Sequence, residues 1–207
     1  MQQFSLPPSA SGLRDNASRG AVADFLRAQI RPGADLAFVS AYFTIYAYYA
    51  LHATLDQIGH LRFLFGEPRF VRTVDPAHDE GKAFALGEDG LHLTTLLSQR
   101  PVARACARWI EAKVAIRSVR QAGLLHGKLY HINNGGVEEA IIGSSNFTVR
   151  GLGLAPAGNN LELNLIVDSA RDRRDLKVWF DELWANADLV TDVRAEVLAH
   201  LRTTRRS

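Results

Sequence analysis

The chain has 207 residues, 47% of them hydrophobic, and a formal net charge of +2 from 24 Lys and Arg against 22 Asp and Glu. That length suits one domain with about 70% of its unfolded-chain surface buried, so disulfide or metal staples are not required. One cysteine, Cys106, excludes an internal disulfide framework and CxxC zinc sites, and the even charge balance does not by itself announce a polyanion partner.

Residues 1–18 are rich in Ser, Pro, Gly and Asn and read as a flexible N-terminal arm, ahead of a single domain over 19–207. The opening segment lacks a basic stretch leading into an apolar core, and no apolar run reaches the ~18 residues of a membrane span. With the single thiol, this points to a cytoplasmic protein. Val22, Phe25, Leu26 and Ile30 recur at helical spacing, and Pro32-Gly33 stops that helix. Asp35–Ser40 is a short apolar run and reads as a buried strand. Thr44–Ile58 has helical length and ends at Gly59, and Leu61–Phe65 is a second strand.

Residues 66–100 are broken by glycine and proline and read as a long loop with one helix around Leu91–Ser98. Pro101 is expected to open a helix through Ala112. Four more strands are expected at Val114–Val119, Leu124–Ile132, Glu139–Ile142 and Leu161–Val167. Helices follow over Asp172–Ala185 and Val190–Leu201. The alternation predicts an α/β fold, a layered α/β/α domain with a mixed sheet flanked by helices.

The chemistry concentrates between Leu124 and Asp168. His126 and Lys128 stand two apart on a predicted strand and so share a face, an unusual pair to bury and a plausible polar pocket; a solvated edge strand is the plainer reading. Gly143-Ser144-Ser145-Asn146 follows an apolar run. Its small side chains and free N–H groups suit an anion, though an ordinary Ser/Asn turn has the same composition. Asn160-Leu161-Glu162 places an acid among leucines, where it requires a partner such as a histidine.

In that order, His126-x-Lys128, Gly143-Ser144-x-Asn146 and Asn160-x-Glu162 resemble the HKD motif of the phospholipase D superfamily. The words GSSNFT-x-x-GL and N-x-ELN are most similar to its nuclease-like branch: stand-alone nucleases, certain restriction enzymes and domains fused ahead of Swi/Snf-type helicases. One position departs: Asn133 stands where the family has the motif aspartate, a supporting residue, so the nucleophile and phosphate clamp remain.

The resemblance implies metal-independent, cofactor-free phosphodiester cleavage through a phosphohistidine. His126 would be nucleophile or general acid. Lys128 and Asn146 would bind phosphate with Ser144 in support, and Ser144, Ser145 and Asn160 would contact substrate. Glu162 would fix the tautomer of His126. The chemistry needs two histidines and the chain has one motif, which implies a homodimer through the HKD face. Nucleic acid, DNA ahead of RNA, is the expected substrate, with a helicase as a candidate fusion or functional partner and no membrane role. The alternatives are a nucleic-acid-binding or dimerisation module without strong catalysis, and a phospholipase D acting on phospholipid. Arg69, after a strand, is a further substrate-binding candidate. His131 falls on the opposite face of its strand from His126 and reads as structural. His78, near Asp75, Asp79 and Glu80, reads as part of a solvated loop.

Overall fold

The computed structural model describes residues 11–66, 84–85, 93–121 and 123–203. Fifteen elements follow one another: β1 Leu13–Arg14, α1 Val22–Gln29, β2 Asp35–Ser40, β3 Phe43–Thr44, α2 Ile45–Leu55, β4 His60–Phe65, β5 Phe84–Ala85, α3 Leu93–Lys113, β6 Val114–Val119, β7 Lys128–Asn134, β8 Val137–Gly143, β9 Asn164–Ile166, α4 Ala170–Ala185, β10 Val190–Asp192 and α5 Arg194–Thr203. Eight strands form one sheet in the order β1-β9-β8-β7-β2-β4-β6-β10, while β3 and β5 pair separately. β2, β4 and β6 run parallel, and every other neighbour in the large sheet is antiparallel.

The central strands are apolar on both faces because both faces are covered. On β2, Leu36 and Phe38 join the larger core with residues of α1, α2, α3 and α5, while Ala37 and Val39 join a smaller core beneath α4. The result is the expected α/β/α layering. Aromatic rings fill the larger core. Phe43 stacks on Phe147 at 5.1 Å, and Tyr130 meets Phe38 edge-on at 5.0 Å. On the other face the Arg62 guanidinium lies over the Phe180 ring at 5.1 Å and pairs with Asp181 at 2.8 Å. Among the described residues, no helix is long and apolar enough to cross a membrane.

Several boundaries differ from the sequence expectation. The described part of the N-terminal arm is pinned: β1 pairs with β9, and the Asn16 amide donates to the Gly151 carbonyl at 2.7 Å. Pro101 lies inside α3 instead of opening a helix. The missing N–H removes one ladder bond, but the turns on both sides continue the helix. The expected helix from Val190 divides into β10 and α5, because Val190–Asp192 pair with β6 as the edge strand of the sheet before the helix begins. β7 starts at Lys128 and not at Leu124, and β9 covers only Asn164–Ile166.

Candidate active site

The candidate residues gather at one end of the sheet, where the parallel strands β2 and β4 reach their carboxyl ends. This is the end at which open α/β sheets bind ligands. Lys128, the first residue of β7, is the cross-strand partner of Gly143, the last of β8, and Gly143 in turn faces Asn164 at the start of β9. Three strand ends therefore bring Lys128, the Ser144–Asn146 turn and Glu162 together. His126 is exposed and lies in the irregular segment just before β7. That segment crosses the end of β4 so closely that a Cβ on Gly66 would sit 2.5 Å from the Leu125 carbonyl. His126 is thus placed by the irregular segment ahead of β7 and not by strand alternation with Lys128. The Lys128 Nζ donates back to the His126 carbonyl at 2.9 Å.

Gly143 is required by the approach of β9: a Cβ there would lie 2.3 Å from the Leu163 carbonyl oxygen. The turn that follows is held from beneath. The Ser145 N–H donates to Asn164 Oδ1 at 3.2 Å, and Asn164 Nδ2 donates to Ser145 Oγ at 2.9 Å. The buried Tyr130 hydroxyl donates to the Ser145 carbonyl at 2.7 Å, and burial pushes the Tyr130 phenol pKa up, keeping it a neutral donor. Ser145 is wholly buried, and Asn164 takes up both its N–H and its hydroxyl. It supports the turn and does not face substrate, contrary to the sequence expectation.

Asn146 has a fixed orientation. Its Oδ1 accepts from the Ala41 N–H at 3.1 Å and lies 3.3 Å from Ser40 Oγ. A backbone N–H only donates, so the amide oxygen must occupy that side, and the NH₂ group is left as a donor on the other. Ser40 is the residue that sequence reasoning missed. It is buried at the end of β2, accepts from the Phe147 N–H at 2.9 Å and donates to the Tyr42 carbonyl at 2.7 Å. Its only signal in the sequence was a polar residue closing the apolar run of β2.

Glu162 does not take the role expected of it. Its carboxylate accepts from the Ser144 hydroxyl and from Asn160 Nδ2, the latter at 3.3 Å, and not from His126. The cause is the short β9: residues 161–163 lie outside the strand, and the Glu162 N–H is tied to the Asp15 carbonyl at 3.1 Å. Ser144 also accepts from the Leu163 N–H at 3.0 Å, so Ser144, Asn160 and Glu162 form one connected group at the rim. Asn133, at the motif aspartate position, accepts from the Gly136 N–H at 2.7 Å. It closes the β7–β8 hairpin, whose two-residue loop Gly135-Gly136 has φ of 65° and 101°, as that tight turn demands.

His131 lies on the opposite face of β7 from Lys128, as alternation predicts. It is fully buried, and neither ring nitrogen has a hydrogen-bond partner among the described residues; Glu138 Oε1 stands 3.7 Å from Nε2. Burial holds its imidazole below the usual histidine range, against the pull of Glu138. Arg69 and His78 lie outside the described residues.

A family model described as "Cardiolipin synthase, PLD-like domain" matches residues 50–184. Among solved structures, a polyphosphate kinase from Porphyromonas gingivalis is similar with a TM-score of 0.55 and 13% identity, over 96% of this chain and 29% of that one. A phosphatidylserine synthase from Haemophilus influenzae Rd KW20 is similar with a TM-score of 0.51 and 8% identity, over 97% of this chain and 44% of that one. The chain thus spans less than half the length of either structure. Curated protein sequences give no match.

Proposed function

We propose, for a chain that belongs to the phospholipase D-like family, metal-independent cleavage of nucleic-acid phosphodiester bonds through a phosphohistidine on His126. Members of this superfamily are phosphoryl-transfer enzymes of the phosphodiesterase type. Nucleic acid as substrate and a site shared by two chains are this proposal's own additions. The observation that carries it is the locked amide of Asn146 at the same end of the sheet as Lys128: a fixed NH₂ donor and an ammonium at one rim are what a phosphoryl group needs as its charge develops. The GSSNFT and N-x-ELN words support nucleic acid over lipid.

In the first step the His126 imidazole attacks phosphorus, and the P–N bond forms as the P–O bond to the leaving alcohol breaks. A second imidazole gives that oxygen its proton. It then takes a proton from water, whose oxygen displaces His126 from phosphorus. The net reaction is diester plus water to monoester plus alcohol. Among the described residues His126 is the imidazole at this rim, so this reading assigns the acid to His126 of the partner subunit in a homodimer. Lys128 and Asn146 hold the equatorial oxygens, and Ser144, anchored by Glu162, lines the rim beside them.

The test is cleavage of labelled single- and double-stranded DNA in EDTA by the wild type, His126→Ala and Lys128→Ala. EDTA-resistant cleavage that falls by about 10³-fold or more in both variants is the expected result. Cleavage that EDTA abolishes would overturn the mechanism. A second reading, hydrolysis of a phospholipid headgroup, draws on the description of the matching family model. Turnover of phosphatidylglycerol vesicles with no cleavage of oligonucleotides would decide for it. Salt-sensitive DNA binding with no turnover of either substrate would leave a binding module.

A further inference from the structure

We infer that the rim between Lys128 and Arg120 is a track for a single nucleic-acid strand, with Tyr42 as the platform on which a base near the cleaved phosphate stacks; the inference rests on the nucleic-acid reading proposed above. Tyr42 follows Ala41, whose N–H holds the Asn146 amide, and its own N–H and carbonyl are both tied to Ser40 Oγ, at 3.3 and 2.7 Å. The backbone is therefore fixed while the side chain is 37% exposed. Among the described residues its hydroxyl has no hydrogen bond and its ring no ring contact, whereas the adjoining Phe43 is buried and stacked on Phe147. A large aromatic side chain held out of the core next to an oriented phosphate donor has the form of a stacking platform.

Arg120 gives the track its second end. β2, β4 and β6 lie side by side with Ser40 opposite Phe65 and Phe65 opposite Ser118, and Lys128 enters β7 one residue from the Val39–Leu129 pair. Arg120 directly follows β6, so it stands three strand spacings, about 14 Å, from the line of Lys128, with the end of β2 and Tyr42 between them. The connection from Arg120 to Lys128 crosses the intervening end of β4, and Arg120, Gln121, Gly123, Leu124, His126 and Gly127 on it are exposed. The Arg120 Nε donates to the Ala187 carbonyl at 3.1 Å, which steadies the side chain, and among the described residues the guanidinium meets no carboxylate. An ammonium and a guanidinium at that separation serve two phosphates of one chain, and a lipid headgroup with a single diester would leave one of them idle. The ring between them favours bases over bare polyphosphate, and an unpaired base is the one that offers its face.

Fluorescence anisotropy of a labelled oligothymidylate strand and of its duplex with oligoadenylate tests this. The full chain is used in a His126→Ala background, so that the strand stays whole, with circular dichroism to confirm the fold of each variant. The single strand is expected to bind more tightly than the duplex. Adding Tyr42→Ala is expected to raise Kd for the single strand by about tenfold, and for the duplex by less, while Tyr42→Phe keeps the ring and restores the affinity. Adding Arg120→Gln is expected to make log affinity fall less steeply with log salt, by about 0.7 in slope, the share of one phosphate on a single strand. A strand that the wild type cleaves, and that the Tyr42→Ala and Arg120→Gln proteins bind as before, would overturn the track and leave the nuclease reading standing. A wild type that neither binds nor cleaves oligonucleotides would overturn both. An equal loss in Tyr42→Ala for oligothymidylate and for inorganic polyphosphate would overturn stacking as the role of Tyr42. Tight binding that the substitutions weaken, with no cleavage by the wild type, would uphold the track and reject the proposed hydrolysis.

Discussion

Asn146 has one oxygen and one NH₂ group, and the backbone has already claimed the oxygen. Asn146→Asp keeps the acceptor for the Ala41 N–H but replaces the donor with a second carboxylate oxygen, which repels a phosphate. Loss of one oriented donor costs about 10²–10³ in kcat, and the added charge deepens that loss. Kinetics on a small chromogenic phosphodiester should show Asn146→Asp below Asn146→Ala. Ser40→Ala offers a subtler case. It leaves the amide in place but removes the hydroxyl that organises Tyr42, Phe147 and Asn146, so kcat should fall by less than in either Asn146 variant. His131 makes a different prediction, for stability. Burial holds its folded pKa below the ordinary histidine value of about 6.5, so the fold favours the neutral ring. The associated stability is fully present above pH 6.5 and is lost as pH falls through that value toward the folded pKa. Melting temperatures between pH 8 and pH 5 should decline over that window in the wild type and decline less in His131→Leu.

At the scale of elements, the close approach of β8 and β9 gives the sharpest prediction. Gly143→Ala would drive a Cβ into the Leu163 carbonyl and the Asn164 side chain. Overpacking of this kind costs about 1–3 kcal/mol, and denaturant melts should show it. Because Ser144 follows directly, activity should fall further than stability alone explains. Phe180→Ala on α4 probes the smaller core, where the ring lies under Arg62 and stacks near Trp184, and should cost about 3–5 kcal/mol. The interior elements were legible in the sequence. DLAFVS and LRFLF are buried on both faces, so uniform apolarity marked β2 and β4 almost to the residue. The rim was less legible. Leu161 and Leu163 alternate with polar residues as a half-buried strand would, yet both face outward. A period of two records which residues share a side, not what covers that side, so a core face and an exposed face look alike. His126 was read onto β7 for a similar reason: Leu124 and Leu125 extend the apolar run past the point where the hydrogen-bonded ladder ends. The partners of Glu162 depend on a crossing between Asp15 and residue 162, and local pattern has no access to that contact.

Across the whole molecule, a site shared by two chains has a signature that a one-chain site lacks. Wild type mixed and re-equilibrated with a growing excess of His126→Ala should lose activity in proportion to the fraction of wild-type pairs, faster than simple dilution; a linear decline would mean that each chain works alone. The fixed Asn146 amide also has a history within each chain. Ala41 follows β2 and Asn146 follows β8, 105 positions later, and the bond between them fixes the donor. A contact at that separation forms only after the chain between has closed its loop, because the entropy of closure must be met before the contact contributes. A ribosome that has released only β2, β4 and β6 carries a sheet without the Ala41–Asn146 bond. During synthesis the Asn146 amide is therefore set in place only after β8 and its turn have emerged and docked against the end of β2.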